Sequence, residues 1–149
     1  MGNRIVPSSK KQSLSGSAAE QMALDFLRSQ GLTLVARNFR TRMGEIDLIM
    51  LDNEVLVFVE VRFRQSAEFG SAEESITVQK CRRLTAAAEG YMQSCNLTEK
   101  VIARFDAIAI SPDRQANRNI TGGAKREGNR SYSTGEYRIT WIQNICSSR

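Results

Sequence analysis

Two acidic residues interrupt apolar, strand-like segments, and these are the positions in the sequence best suited to chemistry. Glu60 lies within the run VLVFVEVRF, and Asp47 lies within EIDLIM. An ionised carboxylate is costly to bury unless it is paired or binds a cation. One explanation is a structural ion pair between Glu60 and Arg62 or a neighbouring arginine. The other is a hard-cation site, in which carboxylates and a backbone carbonyl hold Mg²⁺ and waters complete the octahedron.

The turn between the two segments decides whether these acids can share an ion. Side chains alternate along a strand, so Glu60 and Arg62 are predicted to lie on one face. A two-residue turn at Asp52-Asn53 places Asp47 diagonal to Glu60 on that face, and a four-residue turn places it directly opposite. Opposed residues have Cβ atoms about 4.5–5.5 Å apart and diagonal ones about 7–8 Å. An even turn therefore predicts that Asp47 and Glu60 point into one pocket.

The elements that position this hairpin follow from apolar periodicity and turn residues. A capping box at Ser17 and Glu20 is predicted to begin a first helix, which Gly31 ends. Thr77 begins a second helix. Strands are predicted over residues 32–39, 45–51, 54–63, 101–110 and 137–145. The order α-β-β-β-α-β-β indicates an α/β fold with a central mixed sheet and flanking helices.

Composition excludes several classes of function. The 149 residues suffice for one domain, predicted over residues 15–149 after a disordered basic tail at 1–14. The absence of histidine excludes Ser-His and Cys-His triads and His-bound zinc. The three cysteines are odd in number and lack metal spacing, which favours reduced thiols in a cytoplasmic protein. No apolar stretch is long enough for a membrane span or a secretory signal, so no membrane partner is expected.

The charge distribution indicates a polyanionic partner. The net charge is +5, with a sequence pI near 9.4. Residues 111–135 hold five basic and two acidic residues in a segment rich in Gly, Asn and Ser. Such a segment buries too little apolar surface to offset its ordering entropy, so a mobile basic loop is predicted there. It is either a loop that touches DNA or a solvated linker without a partner.

The sequence around the two acids resembles a known family. Residues 44–49 (GEIDLI) followed by 58–62 (FVEVR) are similar to the YraN family of uncharacterised bacterial proteins. That family resembles the restriction-endonuclease-like superfamily and, within it, archaeal Holliday-junction resolvases. The likeness covers roughly residues 15–110 and resumes at the last predicted strand, with the basic loop as an insertion. It implies a restriction-endonuclease-like fold.

The resemblance also implies roles for individual residues. It assigns the metal ligands to Asp47 and Glu60, with Mg²⁺ as the ion and Mn²⁺ as a substitute. The implied catalytic residues are Glu20, Asp47, Glu60, Arg62 and Lys80. The basic residues placed to contact nucleic acid are Arg37, Arg40, Arg42, Lys80 and Arg83.

Some of these residues also have structural explanations. Glu20 is equally well explained as the capping-box acid. Lys80 and Arg83 lie one turn apart and could form a solvated helix face. Arg104 and Asp106 lie two apart on one strand and are predicted to form a structural pair.

One departure from the superfamily bears on catalysis. Arg62 stands where the superfamily usually has lysine, and a guanidinium stays protonated and cannot act as a base. Activation of water would then fall to Mg²⁺, with Lys80 as a source of an ammonium group. The resemblance implies a metal-dependent endonuclease that hydrolyses DNA, including branched or recombination intermediates, and it allows a homodimer. The alternatives are a nucleic-acid-binding module of the same fold and a protein whose acids form only ion pairs.

Overall fold

The computed structural model describes residues 14–65, 76–97, 101–114 and 129–146. The described part of the chain contains two helices and six strands. In chain order they are α1 (Gly16–Ser29), β1 (Thr33–Arg40), β2 (Glu45–Asp52), β3 (Val55–Phe63), α2 (Val78–Ser94), β4 (Ile102–Pro112), β5 (Asn129–Ser133) and β6 (Tyr137–Ile142).

The six strands form one mixed sheet in the order β1-β2-β3-β4-β6-β5. The β3–β4 pair is parallel, and the other four neighbouring pairs are antiparallel. Helix α2 forms the crossover between β3 and β4, as a parallel connection requires. This confirms the predicted mixed α/β architecture, which is consistent with a restriction-endonuclease-like fold.

Each helix covers one face of the sheet. On one face Ala23 and Leu27 of α1 belong to a core cluster with Val57 and Val59 of β3. On the other face α2 contributes to a second cluster that includes Phe58. The alternation predicted for β3 is therefore confirmed, and it directs Glu60 towards the face covered by α2.

The start of α1 differs from the prediction. The N-cap is Ser15, whose side chain accepts a hydrogen bond from Ala18 N, so the predicted capping box at Ser17 and Glu20 is wrong. Glu20 lies within the second turn and has no capping function. The predicted helix end is confirmed, because Gly31 follows the C-cap in the left-handed region at φ 95°.

The hairpin turn and the last part of the sheet also differ from the prediction. Asp52 pairs with Val55, so the turn residues are Asn53 and Glu54 instead of Asp52 and Asn53. Strand β5 lies inside the stretch predicted as a mobile loop and pairs with β6 along its whole length. Of that stretch, residues 115–128 lie outside the described residues. The predicted basic tail lies outside them too, apart from Leu14, which packs against the α1 core.

The prediction of three reduced thiols is wrong for two of the cysteines. Cys81 of α2 and Cys146 form a disulfide with their Cα atoms 5.5 Å apart, while Cys95 is free and exposed. The two bonded residues are separated by 65 positions, so only the packing of the segment after β6 against α2 brings them together. Neither helix in the described part of the chain is long and apolar enough to cross a membrane.

Candidate metal and nucleic-acid site

Asp47 lies where β2 and β3 stop pairing through their backbones. The ladder runs from the Asp52–Val55 pair to the Leu48–Val59 pair. One residue further along β2, Asp47 Oδ2 accepts a hydrogen bond from Val61 N at 2.8 Å. The Asp47 carboxylate thus connects the two strands beyond the last backbone pair. Because its partner Val61 directly follows Glu60 in the chain, this contact holds Asp47 close to Glu60.

The alternation of β2 breaks at Asp47, which the sequence did not predict. Ile46 and Ile49 are three residues apart, yet both belong to the core cluster under α2, whereas Leu48 belongs to the cluster under α1. Directly across in β1, Asn38 has φ 50°, in the left-handed region. Turn parity alone therefore does not set the direction of Asp47, because parity fixes the face of a residue only where side chains alternate without a break along the strand.

The surroundings of Asp47 disfavour its charged form. Burial, with a smaller contribution from the charges of Glu60, Glu20 and Glu45, raises its pKa from 3.8 to about 6. The hydrogen bond from Val61 opposes this rise by stabilising the carboxylate. The structure thus brings Glu20, Asp47 and Glu60 close enough for their charges to interact.

Glu60 is almost fully buried at 8% exposure, and cations compensate its charge. Lys80 Nζ lies 3.0 Å from Glu60 Oε1, and Arg62 Nε lies 3.7 Å from the same oxygen. The nearer partner therefore comes from α2 and not from the strand that carries Glu60. The structural ion pair considered for Glu60 is real, and its main partner is Lys80 instead of an arginine.

The predicted nucleic-acid-binding residues occupy different settings around these acids. Arg37 donates a hydrogen bond to Gln21 of α1 at 3.0 Å. Arg40 forms an exposed ion pair with Glu45, with Nε and Oε1 3.2 Å apart. Arg42 and Arg83 are exposed and form no ion pair with the described residues.

Arg83 nevertheless lies close to Arg42 through the backbone. A Cβ atom built on Gly44, two residues after Arg42, would be 3.2 Å from the Arg83 carbonyl oxygen. The turn between β1 and β2 therefore packs on the first part of α2, beside Lys80. The turn that carries Arg42 thus adjoins the residue of α2 that lies one helical turn after Lys80.

The carboxylates suit a small hard cation with few protein ligands. No cluster of three or more His, Cys, Asp or Glu side chains that could hold a metal occurs in residues 14–65, 76–97, 101–114 and 129–146. Mg²⁺ is commonly bound by one or two carboxylates while it keeps several waters. Asp47 and Glu60 supply two carboxylates. The pKa of Asp47 is raised mainly by burial and also by the charges of nearby acids, and a bound cation would offset both effects by stabilising the ionised form.

The Arg104–Asp106 pair has a structural role, as predicted. Asp106 is fully buried and accepts hydrogen bonds from Arg104, from Trp141 Nε1 at 3.1 Å and from Asn144 N at 3.1 Å. Arg104 also reaches Asp52, with Nη2 2.9 Å from Oδ2. The sequence indicated only a turn role for Asp52, and no local signal links it to an arginine 52 positions away.

Comparison with known proteins identifies the family. The sequence model of the family described as "Uncharacterised protein family UPF0102" matches residues 19–110 of this chain. The match covers more than half of the chain and includes every residue that was predicted to be catalytic. The chain belongs to this family, UPF0102, the YraN family.

Individual UPF0102 proteins support the assignment. A relative from Nitrosomonas eutropha is 52% identical over 100 residues, covering 67% of this chain and 84% of the relative. One from Alkalilimnicola ehrlichii is 47% identical over 113 residues, covering 75% and 90%. One from Nitrosococcus oceani is 46% identical over 102 residues, covering 68% and 82%.

Proposed function

We propose that this UPF0102 protein is a divalent-metal-dependent endonuclease that hydrolyses phosphodiester bonds in DNA. The observation that carries the proposal is the arrangement at the end of the β2–β3 ladder. There, Asp47 has a pKa of about 6 beside Glu60, and Lys80 lies 3.0 Å from Glu60. Two acids and an ammonium group in one place suit phosphodiester chemistry, because such sites must hold a cation and stabilise a dianionic transition state. Such a substrate would place the protein in the cytoplasm.

Asp47 and Glu60 would hold Mg²⁺ or Mn²⁺. When bound, the ion would lower the pKa of a water and offset the charge of the phosphate. The Val61 N–H fixes one oxygen of Asp47, which restricts how its carboxylate can face a ligand. Above its pKa of about 6, Asp47 is mainly ionised and able to bind a cation. Below that pKa, protons compete with the metal, so activity should fall as the medium becomes acidic.

Lys80 and Arg62 would supply fixed positive charge. Both contact Glu60 Oε1, so the same carboxylate orients both cations. A cation fixed next to the reacting phosphate stabilises the charge that develops in the transition state more than it stabilises bound substrate. Arg62 remains protonated at working pH and acts only by its charge and hydrogen bonds.

Exposed arginines would bind the DNA backbone. Arg83 follows Lys80 by one turn of α2, and the turn that carries Arg42 packs on Arg83 through Gly44. Neither arginine forms an ion pair with the described residues, so none of their carboxylates competes with phosphate for these two side chains. Each phosphate contact releases counterions, so affinity should fall steeply as salt rises. Arg40 contributes less because Glu45 already compensates its charge.

A cleavage assay tests the proposal directly. The protein is incubated with supercoiled, linear, single-stranded and four-way-junction DNA in Mg²⁺, Mn²⁺ or EDTA. We expect cleavage of at least one form that requires metal and that Asp47→Asn abolishes. Asp25→Asn, on the exposed surface of α1, is the matched control and should retain activity. Equal cleavage by wild type and Asp47→Asn would contradict the proposal.

The same assay examines Arg62. Arg62→Lys should preserve or raise cleavage, whereas Arg62→Ala should lower it by about 10²–10³, the usual loss on removal of one fixed charge-stabilising donor. DNA affinity should change little in either variant. If Arg62 serves mainly to neutralise Glu60 in the fold, Arg62→Ala will instead lower the melting temperature without metal or DNA.

A nucleic-acid-binding module is the second candidate. It is favoured by the ion pairs of Glu60, because a carboxylate already compensated by Lys80 and Arg62 attracts a metal ion less strongly. In that case the protein binds DNA equally well in Mg²⁺ and in EDTA and cleaves none of the forms. Metal-dependent cleavage would exclude this candidate.

A further inference from the structure

An exposed methionine lies at the tip of the turn between β1 and β2. Met43 is 63% exposed, although an apolar side chain gains nothing from contact with water. It follows Arg42 in the chain and lies four residues before Asp47. It is thus the one large apolar side chain of the turn over residues 41–44, which leads into the strand of the proposed catalytic acid.

The turn that carries Met43 is held rigidly. Thr41 Oγ1 accepts hydrogen bonds from Met43 N at 3.1 Å and from Gly44 N at 3.2 Å. Thr41 N donates to the Gly44 carbonyl at 2.9 Å, which closes the turn. On its other side Gly44 packs on Arg83, leaving no room for a β-carbon without displacement. The exposure of Met43 therefore results from a fixed backbone and not from a loose loop.

The charge around Met43 indicates which partner would cover it. Arg42 is its neighbour in sequence, and Arg83 lies beneath the turn, both exposed and without ion pairs to the described residues. A polyanion that also offers apolar surface satisfies both features. Nucleic acid has this composition, because its phosphates bind arginine and its bases expose apolar faces wherever they are unstacked.

We propose that Met43 is a wedge that inserts between bases of DNA at a branch, bulge or mismatch. Arg42 and Arg83 would hold the flanking phosphates while the thioether side chain occupies the opened step. Apolar wedges of this kind partly unstack base steps and kink the duplex. Methionine suits the role, because its flexible and polarizable side chain adapts to surfaces of different shape. This inference rests on the proposed function in one respect: it requires that the protein binds DNA. It does not require that the protein cleaves DNA.

This wedge would select distorted DNA. Opening a perfect duplex requires unstacking energy, whereas a bulged or mismatched step is already weakened. In a perfect duplex the cost of unstacking therefore offsets the free energy gained from the Met43 contact. In distorted DNA this cost is smaller, and most of the gain is retained. We expect wild-type protein to bind a bulged duplex about tenfold more tightly than the matched perfect duplex.

DNA binding without cleavage tests the wedge. Affinities of the full chain for a perfect duplex and for the same duplex with a central bulge are measured in EDTA by fluorescence anisotropy. A 2-aminopurine beside the bulge reports unstacking by an increase in fluorescence. Met43→Ala should reduce the tenfold preference to about twofold or less and remove the fluorescence increase, and Met43→Leu should retain much of both.

Ile102→Ala is the matched control. Ile102 is 69% exposed, similar to Met43, but it pairs with Val55 at the end of β3 away from Glu60. Its removal should leave both the preference and the fluorescence change intact. Equal melting temperatures of the three variants will show that the overall fold is intact in each of them.

The outcomes separate the wedge from the nuclease. If Met43→Ala retains the preference, or lowers affinity for both DNA forms equally, the wedge is refuted even when cleavage persists. Equal binding of both forms by wild type refutes it as well. If the preference depends on Met43 while no DNA form is cleaved in Mg²⁺ or Mn²⁺, the wedge stands and the proposed nuclease function fails.

Discussion

The raised pKa of Asp47 makes the stability of the fold depend on pH. The pKa is 3.8 for an ordinary aspartate and about 6 for Asp47 in the folded protein. Between these two pH values the folded state therefore binds more protons than the unfolded state. The free energy of unfolding therefore falls as pH rises through this range. At about 1.4 kcal/mol for each tenfold change in the ionisation constant, the full loss is about 3 kcal/mol. Solvent screening of this partly exposed group reduces it to about 1–2 kcal/mol.

The substitution Asp47→Asn isolates this effect. The asparagine oxygen can still accept the hydrogen bond from Val61 N, but it carries no charge to repel Glu60. In EDTA at pH 7.5 we expect the free energy of unfolding to rise by about 1–2 kcal/mol, the loss estimated above for ionised Asp47. At pH 4 the two proteins should be nearly equal in stability, because Asp47 is then protonated in the folded wild type.

Urea unfolding followed by tryptophan fluorescence measures both values, because Trp141 is the single tryptophan and is buried. Asp25→Asn is the control, since Asp25 is exposed and its hydrogen-bond partner is the nearby Gln21. Its effect should be small and similar at both pH values. If Asp47→Asn lowers stability at pH 7.5, or changes it equally at pH 4 and pH 7.5, the raised pKa of Asp47 is disproved.

Three further predictions concern metal, core and disulfide. Mg²⁺ or Mn²⁺ should raise the melting temperature of wild type but not of Asp47→Asn, and equal shifts would contradict a site at that carboxylate. Asp106→Asn should lower the free energy of unfolding by about 1–3 kcal/mol, because the amide nitrogen replaces one of the two oxygens that accept hydrogen bonds from Arg104, Trp141 and Asn144; an unchanged stability would contradict this. Without reductant, Cys146→Ser should lower the free energy of unfolding by about 4 kcal/mol, because the disulfide bond to Cys81 closes a loop of 65 positions. Dithiothreitol should bring wild type to the level of this variant, and insensitivity of wild type to dithiothreitol would show that the bond contributes nothing.

Local patterns were sufficient for most of the architecture. The alternation of Val57 and Phe58 between opposite faces follows from the two-residue period of a strand. Thr77 caps α2 because its hydroxyl accepts a hydrogen bond from Lys80 N, which has no partner within the helix. The acids Asp47 and Glu60 were recognisable because each interrupts an apolar run. Such features depend on neighbours in sequence, so sequence alone predicts them.

Tertiary structure decided what surrounds the two acids. The ion pair of Glu60 with Lys80 depends on how α2 packs on the sheet, and the raised pKa of Asp47 depends on burial and on charges from three elements. The break in alternation opposite Asn38 and the bond between Cys81 and Cys146 likewise involve two distant segments. The sequence therefore determined which residues could do chemistry. Only long-range packing determined their partners, because solvation and charge depend on distance in space and not on spacing along the chain.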